Sequence, residues 1–364
     1  MALRIRLPEY LPRGVGNPPL DPPPFESVYV RRCVRITQRV HGREGTREVL
    51  ILTSIMQSVD DMLNDHYPEE EDVDTDTTDG DEVSDDSEIS STSTEDCENE
   101  EGGGEDEDED EGDGGEQERS RNQGFLEAFM VCWSDPIRES PRDDPNPRTV
   151  YYAKRLQKRD DVGWTETKGG DVAIKAISWE RIRATRNRVS EDPVKEVAAL
   201  QYLSDGLRGR SIEETHVLTA DTVMCNDSDL YIVMPYCHGG DLCMRVATRG
   251  RFAEDEARFY FRQILKGLET LQDMRICHKD LSPENLILLE NKSLIIDFGM
   301  CLRIPYSSDV RHLITRRQTC GKLPHISPEI WTCRPFDGHA VDIWAGKFTL
   351  FRLMLSDDTE FVLT

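Results

Sequence analysis

The ten cysteines of this 364-residue chain include no Cys-x-x-Cys pair and follow no regular spacing. That speaks against a zinc site and a secreted disulfide framework, and fits reduced thiols in the cytoplasm or nucleus. No apolar run approaches the roughly 18 residues needed to cross a bilayer, and Pro8 arrives before a signal-like core could form. No membrane association is expected. Positive charge is missing from one long stretch: Glu69 to Glu118 holds 27 of the 71 acids and no Lys or Arg. The 44 remaining acids balance the 44 Lys and Arg, so the net charge of -27 belongs to that stretch alone. Its sign disfavours direct binding of nucleic acid.

Three regions follow from the composition. Residues 1–68 form an N-terminal region of unknown role with a proline-rich start (Pro8, Pro12, Pro18, Pro19, Pro22, Pro23 and Pro24). Within it, Val28–Val40 alternates like a strand, whereas Val49, Leu52, Ile55, Met56, Val59 and Met62 recur at helical spacing, predicting one strand-plus-helix unit. Residues 69–120 lack aromatics and almost all aliphatics, so they cannot offset the entropy of ordering and are expected to be a disordered acidic linker. It is a candidate docking segment for basic proteins, and Thr78, Thr92 and Ser93, each with an acid three residues later, are candidate phosphosites. Residues 121–364 carry the apolar periodicity of a folded domain.

Four blocks in that domain carry chemistry. Asp171-Val-Ala-Ile-Lys175 is an apolar strand ending in a lysine, and about twenty residues on Glu196 lies in a helix for which Asp192 is the expected N-cap and Pro193 the first residue. Leu230–Leu242 is a strand running into Gly239-Gly240. There the Pro235 carbonyl and the Cys237 N–H could pair with an adenine edge, and Asp241 stands near the ribose hydroxyls. In Ile276-Cys-His-Lys-Asp-Leu-Ser-Pro-Glu-Asn285, Asp280 and Asn285 lie five apart on one loop. That arrangement suits a proton acceptor beside a magnesium ligand. Leu294-Ile-Ile-Asp297-Phe-Gly places a further hard oxygen ligand after an apolar strand.

Together these blocks resemble the signature set of eukaryotic protein kinases of the serine/threonine type, in the family's order. The resemblance covers roughly residues 121–355, with Ser327-Pro-Glu329 and Asp342-Ile-Trp344 extending it. It implies an α+β, two-lobed protein-kinase fold: a small antiparallel-sheet lobe and a larger, mainly helical lobe, preceded by the disordered acidic segment. ATP and Mg2+ would be the cofactors and a protein the substrate. Lys175 would hold the α/β-phosphates and Glu196 would hold Lys175. Asp280 would be the catalytic base, with Asn285 and Asp297 on Mg2+. Met234 would guard the back of the pocket, Ala173 and Ile287 would sandwich the adenine, and Leu200, His278 and Phe298 would stack internally.

The sequence departs from the family at several points. The phosphate loop is best matched by Gly124–Val131, which keeps one glycine and the valine, so that Cys132–Gly170 would be an insertion between strands. Lys279 replaces an arginine, Ser282 replaces a lysine, and Lys322 stands at a threonine position, from which it is expected to restore the lost charge. Ser307, Ser308, Thr315 and Thr319, beside Arg311, Arg316 and Arg317, are candidate regulatory sites. Cys237, Cys277 and Cys301 are expected to be buried and inert. Lys347 occupies a glycine position and few residues follow it, so the domain is expected to be incomplete at its C-terminus. The alternatives to an active kinase are a pseudokinase scaffold and a binder of basic proteins acting through the acidic tract.

Overall fold

The computed structural model describes residues 19–64, 127–139, 148–185, 191–315 and 321–355. The smaller lobe is a closed barrel of β1 (Tyr29–Arg39), β2 (Thr46–Ser58), β3 (Glu127–Glu139), β4 (Thr149–Arg159), β5 (Gly163–Ser178), β6 (Thr222–Cys225) and β7 (Asp229–Pro235). Its order is β1-β2-β3-β4-β5-β7-β6, antiparallel except where β1 meets β6 in parallel through Arg31↔Met224 and Arg32↔Cys225. Alternation along the strands fills the interior with Cys33, Leu50, Leu52, Phe129, Val131, Val172, Ile174, Tyr231 and Val233.

Two expectations change here. Residues 46–58 are a strand rather than a helix; only α1 (Val59–Asn64) is helical, and Ile55 and Met56 of the supposed apolar stripe are exposed. The run Val49–Thr53 is rich in branched residues and pairs with β1 over Val49–Leu52 and with β3 over Val49–Ile51, which a helix could not do. Residues 29–58 therefore belong to the same sheet as the lysine-bearing strand, and the sheet does not begin at residue 121. The acidic stretch lies outside the described residues, as do Thr78, Thr92 and Ser93. The strands on either side of it, β2 and β3, are neighbours in the barrel.

Next to the barrel come α2 (Trp179–Thr185), α3 (Pro193–Gly206) and α4 (Ile212–Thr215). Helix α3 starts as its sequence requires: Asp192 accepts hydrogen bonds from the N–H groups of Val194 (2.9 Å) and Lys195, and Pro193 needs no partner. Val197, Leu200 and Leu203 of its buried face share one core with Ile177 of β5 and Ile232 of β7, and Glu196 is buried beside them.

The larger lobe contains α5 (Leu242–Arg249), α6 (Glu254–Asp273), β8 (Ile276–Cys277), β9 (Leu286–Leu289), β10 (Lys292–Ile295), β11 (Leu302–Arg303), β12 (Tyr306–Ser307), β13 (Val310–Arg311), α7 (Pro328–Trp331) and α8 (Gly338–Met354). Helix α6 buries Ala257, Tyr260, Phe261, Ile264, Leu268 and Leu271 at helical spacing, and Glu254, Asp255 and Glu256 complement its N-terminal dipole. No helix among the described residues is long and apolar enough to cross a membrane.

The N-terminal segment ties the lobes together. The Leu20 N–H donates to Leu313 O and the Thr315 N–H to Leu20 O, both at 3.0 Å, while Ile314 bridges on its other side to Phe336. Arg303 donates to Pro24 O and lies over the ring of Tyr202 on α3, against which Phe25 also packs.

Candidate active site

Strand β5 sends Val172 and Ile174 into the barrel and turns Ala173, Lys175 and Ile177 the other way, because successive side chains alternate. Lys175 Nζ meets both oxygens of Glu196 at 2.5–2.6 Å, with both side chains almost wholly buried. A bidentate pair of this kind tolerates burial because each charge answers the other.

The floor of the cleft is the loop between β8 and β9. Asp280 Oδ2 accepts from Asn285 Nδ2 at 2.9 Å, and the same amide nitrogen donates to the Asp280 carbonyl at 2.8 Å. Asp280 Oδ1 is buried and accepts no hydrogen bond among the described residues. The loop is held from below by Asp342 of α8, whose carboxylate accepts from the N–H groups of His278 (2.7 Å) and Lys279 (2.8 Å). Burial pushes the Asp342 carboxyl up to about 6 although these two bonds pull it down. They also hold Lys279 at φ 68, a conformation that a side chain adopts reluctantly. His278 accepts from the Asp280 N–H at 3.3 Å and its Nε2 lies 2.9 Å from Ile296 O, which makes Nε2 the protonated nitrogen. Its ring sits 5.2 Å from Phe298, edge to face.

Asp297, at φ 70, lies two residues beyond the end of β10. Burial would push its carboxyl up, but Lys175, Arg148 and His278 outweigh that and hold it well below the usual carboxylate range. Lys322 stands where its lysine-for-threonine exchange was expected to matter: Nζ is 3.1 Å from Ser282 Oγ and 3.4 Å from Asp280 Oδ2. The charge absent at Ser282 is present again from another segment.

Ala173 lies in register between Tyr152 of β4 and Met234 of β7, so these three form one row on the roof of the cleft. Met234 packs with Ile287, Cys237, Leu218 and Leu294, which joins the expected back wall and floor in one apolar cluster. Beyond it, Gly239 lies so close to Leu288 that a Cβ would come within 2.5 Å of the leucine Cβ. Asp241 uses one oxygen to cap α5 through the Met244 N–H at 2.7 Å. Burial pushes the Cys237 thiol up to about 11 and Cys301 to about 12, so neither is a ready thiolate, and Cys277 is likewise raised.

The phosphate-loop assignment needs correction. Val131 lies on β3, before the hairpin, and its side chain points into the barrel interior; Gly124 is outside the described residues. β3 and β4 are antiparallel neighbours, and the sequence that connects them, residues 140–147, lies outside the described residues and includes Pro141, Pro145 and Pro147 and no glycine. The residue facing Ala173 from β4 is Tyr152, whose hydroxyl bonds Asp171 and whose ring packs 5.0 Å from Tyr236. Residues Cys132–Gly170 are thus no insertion, since they hold the end of β3, all of β4 and the start of β5. At the end of the hairpin Arg148 meets Glu191 and lies 3.4 Å from Asp297 Oδ2. Sequence reasoning missed Arg148, Tyr152 and the supporting role of Asp342. Only Asp342, two residues before a tryptophan in a kinase-like segment, carried a signal.

Of the candidate regulatory residues, Ser307 and Ser308 are exposed on the β12–β13 hairpin. Arg311 is committed to Asp337 at 2.7 Å, and Arg316, Arg317 and Thr319 lie outside the described residues.

With this geometry in place, the comparisons with known proteins agree. The protein kinase domain family matches residues 163–360, beginning at β5. CBL-interacting protein kinase 26 of Oryza sativa subsp. japonica is 34% identical over 206 residues, covering 56% of this chain and 37% of that protein. CBL-interacting serine/threonine-protein kinase 15 of Arabidopsis thaliana is 34% identical over 206 residues, covering 56% and 43%. Serine/threonine-protein kinase SRK2D of Arabidopsis thaliana is 34% identical over 236 residues, covering 61% and 59%. The chain belongs to the eukaryotic protein kinase superfamily, serine/threonine type. It spans about two fifths of the length of the CBL-interacting kinases that it matches.

Proposed function

We propose that the protein transfers the γ-phosphoryl group of ATP to serine or threonine hydroxyls of protein substrates. The observation that carries this reading is Asp280, with one oxygen fixed by Asn285 and the other buried without a partner among the described residues. A substrate hydroxyl donating to Oδ1 would meet a base already oriented to take its proton. Asp297 and Asn285 offer hard oxygens suited to Mg2+, which favours one or two protein ligands supplemented by phosphate. Mg·ATP, when bound, supplies the phosphoryl group and the metal charge that offsets its oxygens.

The remaining assignments concern the chain's own groups. Lys175, aimed by Glu196, binds the α/β-phosphates, and Lys322 supplies the second ammonium beside Asp280. Ala173, Met234 and Ile287 enclose the adenine, the Pro235 carbonyl and Cys237 N–H bind its edge, and Asp241 receives the ribose through its second oxygen. All eight described cysteines are free, which suits a reducing cytoplasmic or nuclear setting.

Transfer of labelled γ-phosphate from Mg·ATP to a panel of proteins tests this, with Asp280→Asn as the control. The expected loss is on the order of 10²–10⁴-fold. Equal transfer by both forms would reject Asp280 as the base, and absence of transfer by the wild type would reject the activity. A scaffold reading draws on one observation, the glycine-free hairpin that brings Arg148 against Asp297. Failure of Mg·ATP to raise Tm would favour it.

A further inference from the structure

The cation that reaches the phosphate side of the cleft from above belongs to none of the recognised motifs. Arg148 is where the β3–β4 connection rejoins the sheet. Its guanidinium is about three-quarters covered, set against Glu191 and 3.4 Å from Asp297 Oδ2. Glu191 packs against Gly299: a Cβ there would fall 2.6 Å from its Cγ, so the close approach of the two depends on the glycine next to Phe298. The Asp192 N–H also donates to Gly299 O at 3.3 Å.

The sequence connecting β3 to β4, residues 140–147, has no glycine and three prolines. A proline has no N–H to give, and a Cβ keeps the backbone away from a phosphate. The sequence of this connection is therefore poorly suited to a row of backbone donors, and a side chain is the better source of a grip on phosphate from the roof. A guanidinium provides two parallel N–H groups matched to phosphate oxygens, and its charge does not vary with pH.

We propose that Arg148 is a nucleotide-phosphate ligand that binds the terminal phosphates of ATP from the roof, in place of the backbone donors of a glycine-rich loop. This rests on the nucleotide reading above. Glu191 keeps the guanidinium in the cleft whichever partner Asp297 takes, so the donor is positioned before any ligand arrives.

The test is calorimetric titration of ATP, ADP and adenosine into the full chain, with and without Mg2+, for wild type, Arg148→Gln and Arg148→Lys. Arg148→Gln is expected to weaken ATP by about 10- to 100-fold, the range for losing a hydrogen bond between charged groups. Adenosine, which carries no phosphate, should bind unchanged, and Arg148→Lys should fall between. Unchanged ATP affinity in Arg148→Gln overturns the inference while leaving the nucleotide reading intact. So does tighter ATP binding, which would make Arg148 a plug that the phosphates displace. Equal loss of ATP and adenosine in both variants makes Arg148 a structural residue and also overturns it. A wild type that binds neither ATP nor adenosine overturns the nucleotide reading, and this inference with it.

Discussion

The floor and the roof of the cleft are built on different principles. On the floor, each chemical group is held by another: Asp280 by Asn285, the loop backbone by Asp342, and the His278 ring between Ile296 and Phe298. On the roof, the β3–β4 hairpin brings two large side chains, Arg148 and Tyr152, towards a region where a glycine-rich hairpin would bring bare backbone. The difference teaches that a proton acceptor and a metal ligand admit few residue types, whereas phosphate can be gripped by N–H groups from backbone or side chain alike.

The comparison can be broken most directly at its acids. Glu196→Ala strands the buried ammonium of Lys175 and is expected to lower unfolding free energy by roughly 3–5 kcal/mol. Glu191→Ala, in a partly exposed roof pair, should lower it by less than about 1 kcal/mol. Equal shifts in urea midpoint would erase the distinction. Next comes Asp342→Ala, which leaves the His278 and Lys279 N–H groups without their acceptor, at about 1–3 kcal/mol for each donor. Accelerated hydrogen exchange at those two amides reads it out, and protection equal to wild type would show that the floor does not depend on α8.

A pH series sharpens the account of that frame. Burial, with Arg311 nearby, holds the His339 imidazole down to about 3 from its usual 6.5, so on acidification the unfolded chain takes up this proton first. Its contribution to stability is complete above pH 6.5 and declines as pH falls from there towards 3, by at most about 1.4 kcal/mol per pH unit. Buried His325, also lowered chiefly by burial, acts in the same direction. His339→Gln should flatten the slope in denaturation midpoints, and an unchanged slope would assign it elsewhere. The smallest effect is expected from Tyr152→Phe, which removes the hydroxyl's bonds to Asp171 and Lys154 and keeps the ring on the roof. About 0.5–1.5 kcal/mol in stability and no change in adenosine affinity would fit; a large loss of adenosine binding would make the hydroxyl a ligand.

The floor was readable from the sequence because its residues are specific in type and close together: Asp280, Asn285 and Asp297 lie within eighteen positions. Lys322 was readable too, as a lysine out of place that answers a missing lysine at Ser282. The roof was not. A backbone-binding hairpin is recognised by its glycines, and with none between β3 and β4 the sequence match falls on Gly124–Val131, whose valine lies in the barrel interior. The first two strands were set apart for a different reason. An acidic stretch of fifty residues, Glu69 to Glu118, looks like a boundary, yet the entropy of closing a loop rises only slowly with length, so neighbouring strands tolerate a long excursion between them.

Closure of the barrel by β1 against β6 has a consequence for how the chain is made. Arg31 must await Met224, and Leu20 must await Ile314, before either finds its partner. At about 5–20 residues per second, β1 emerges on the order of 10–40 s before β6 exists. Throughout that interval its outer edge carries unpaired N–H and C=O groups, a template for any passing strand. Arg31, Arg32, Arg35 and Arg39 space positive charge along this strand, and like-charge repulsion between nascent copies opposes their pairing until β6 arrives.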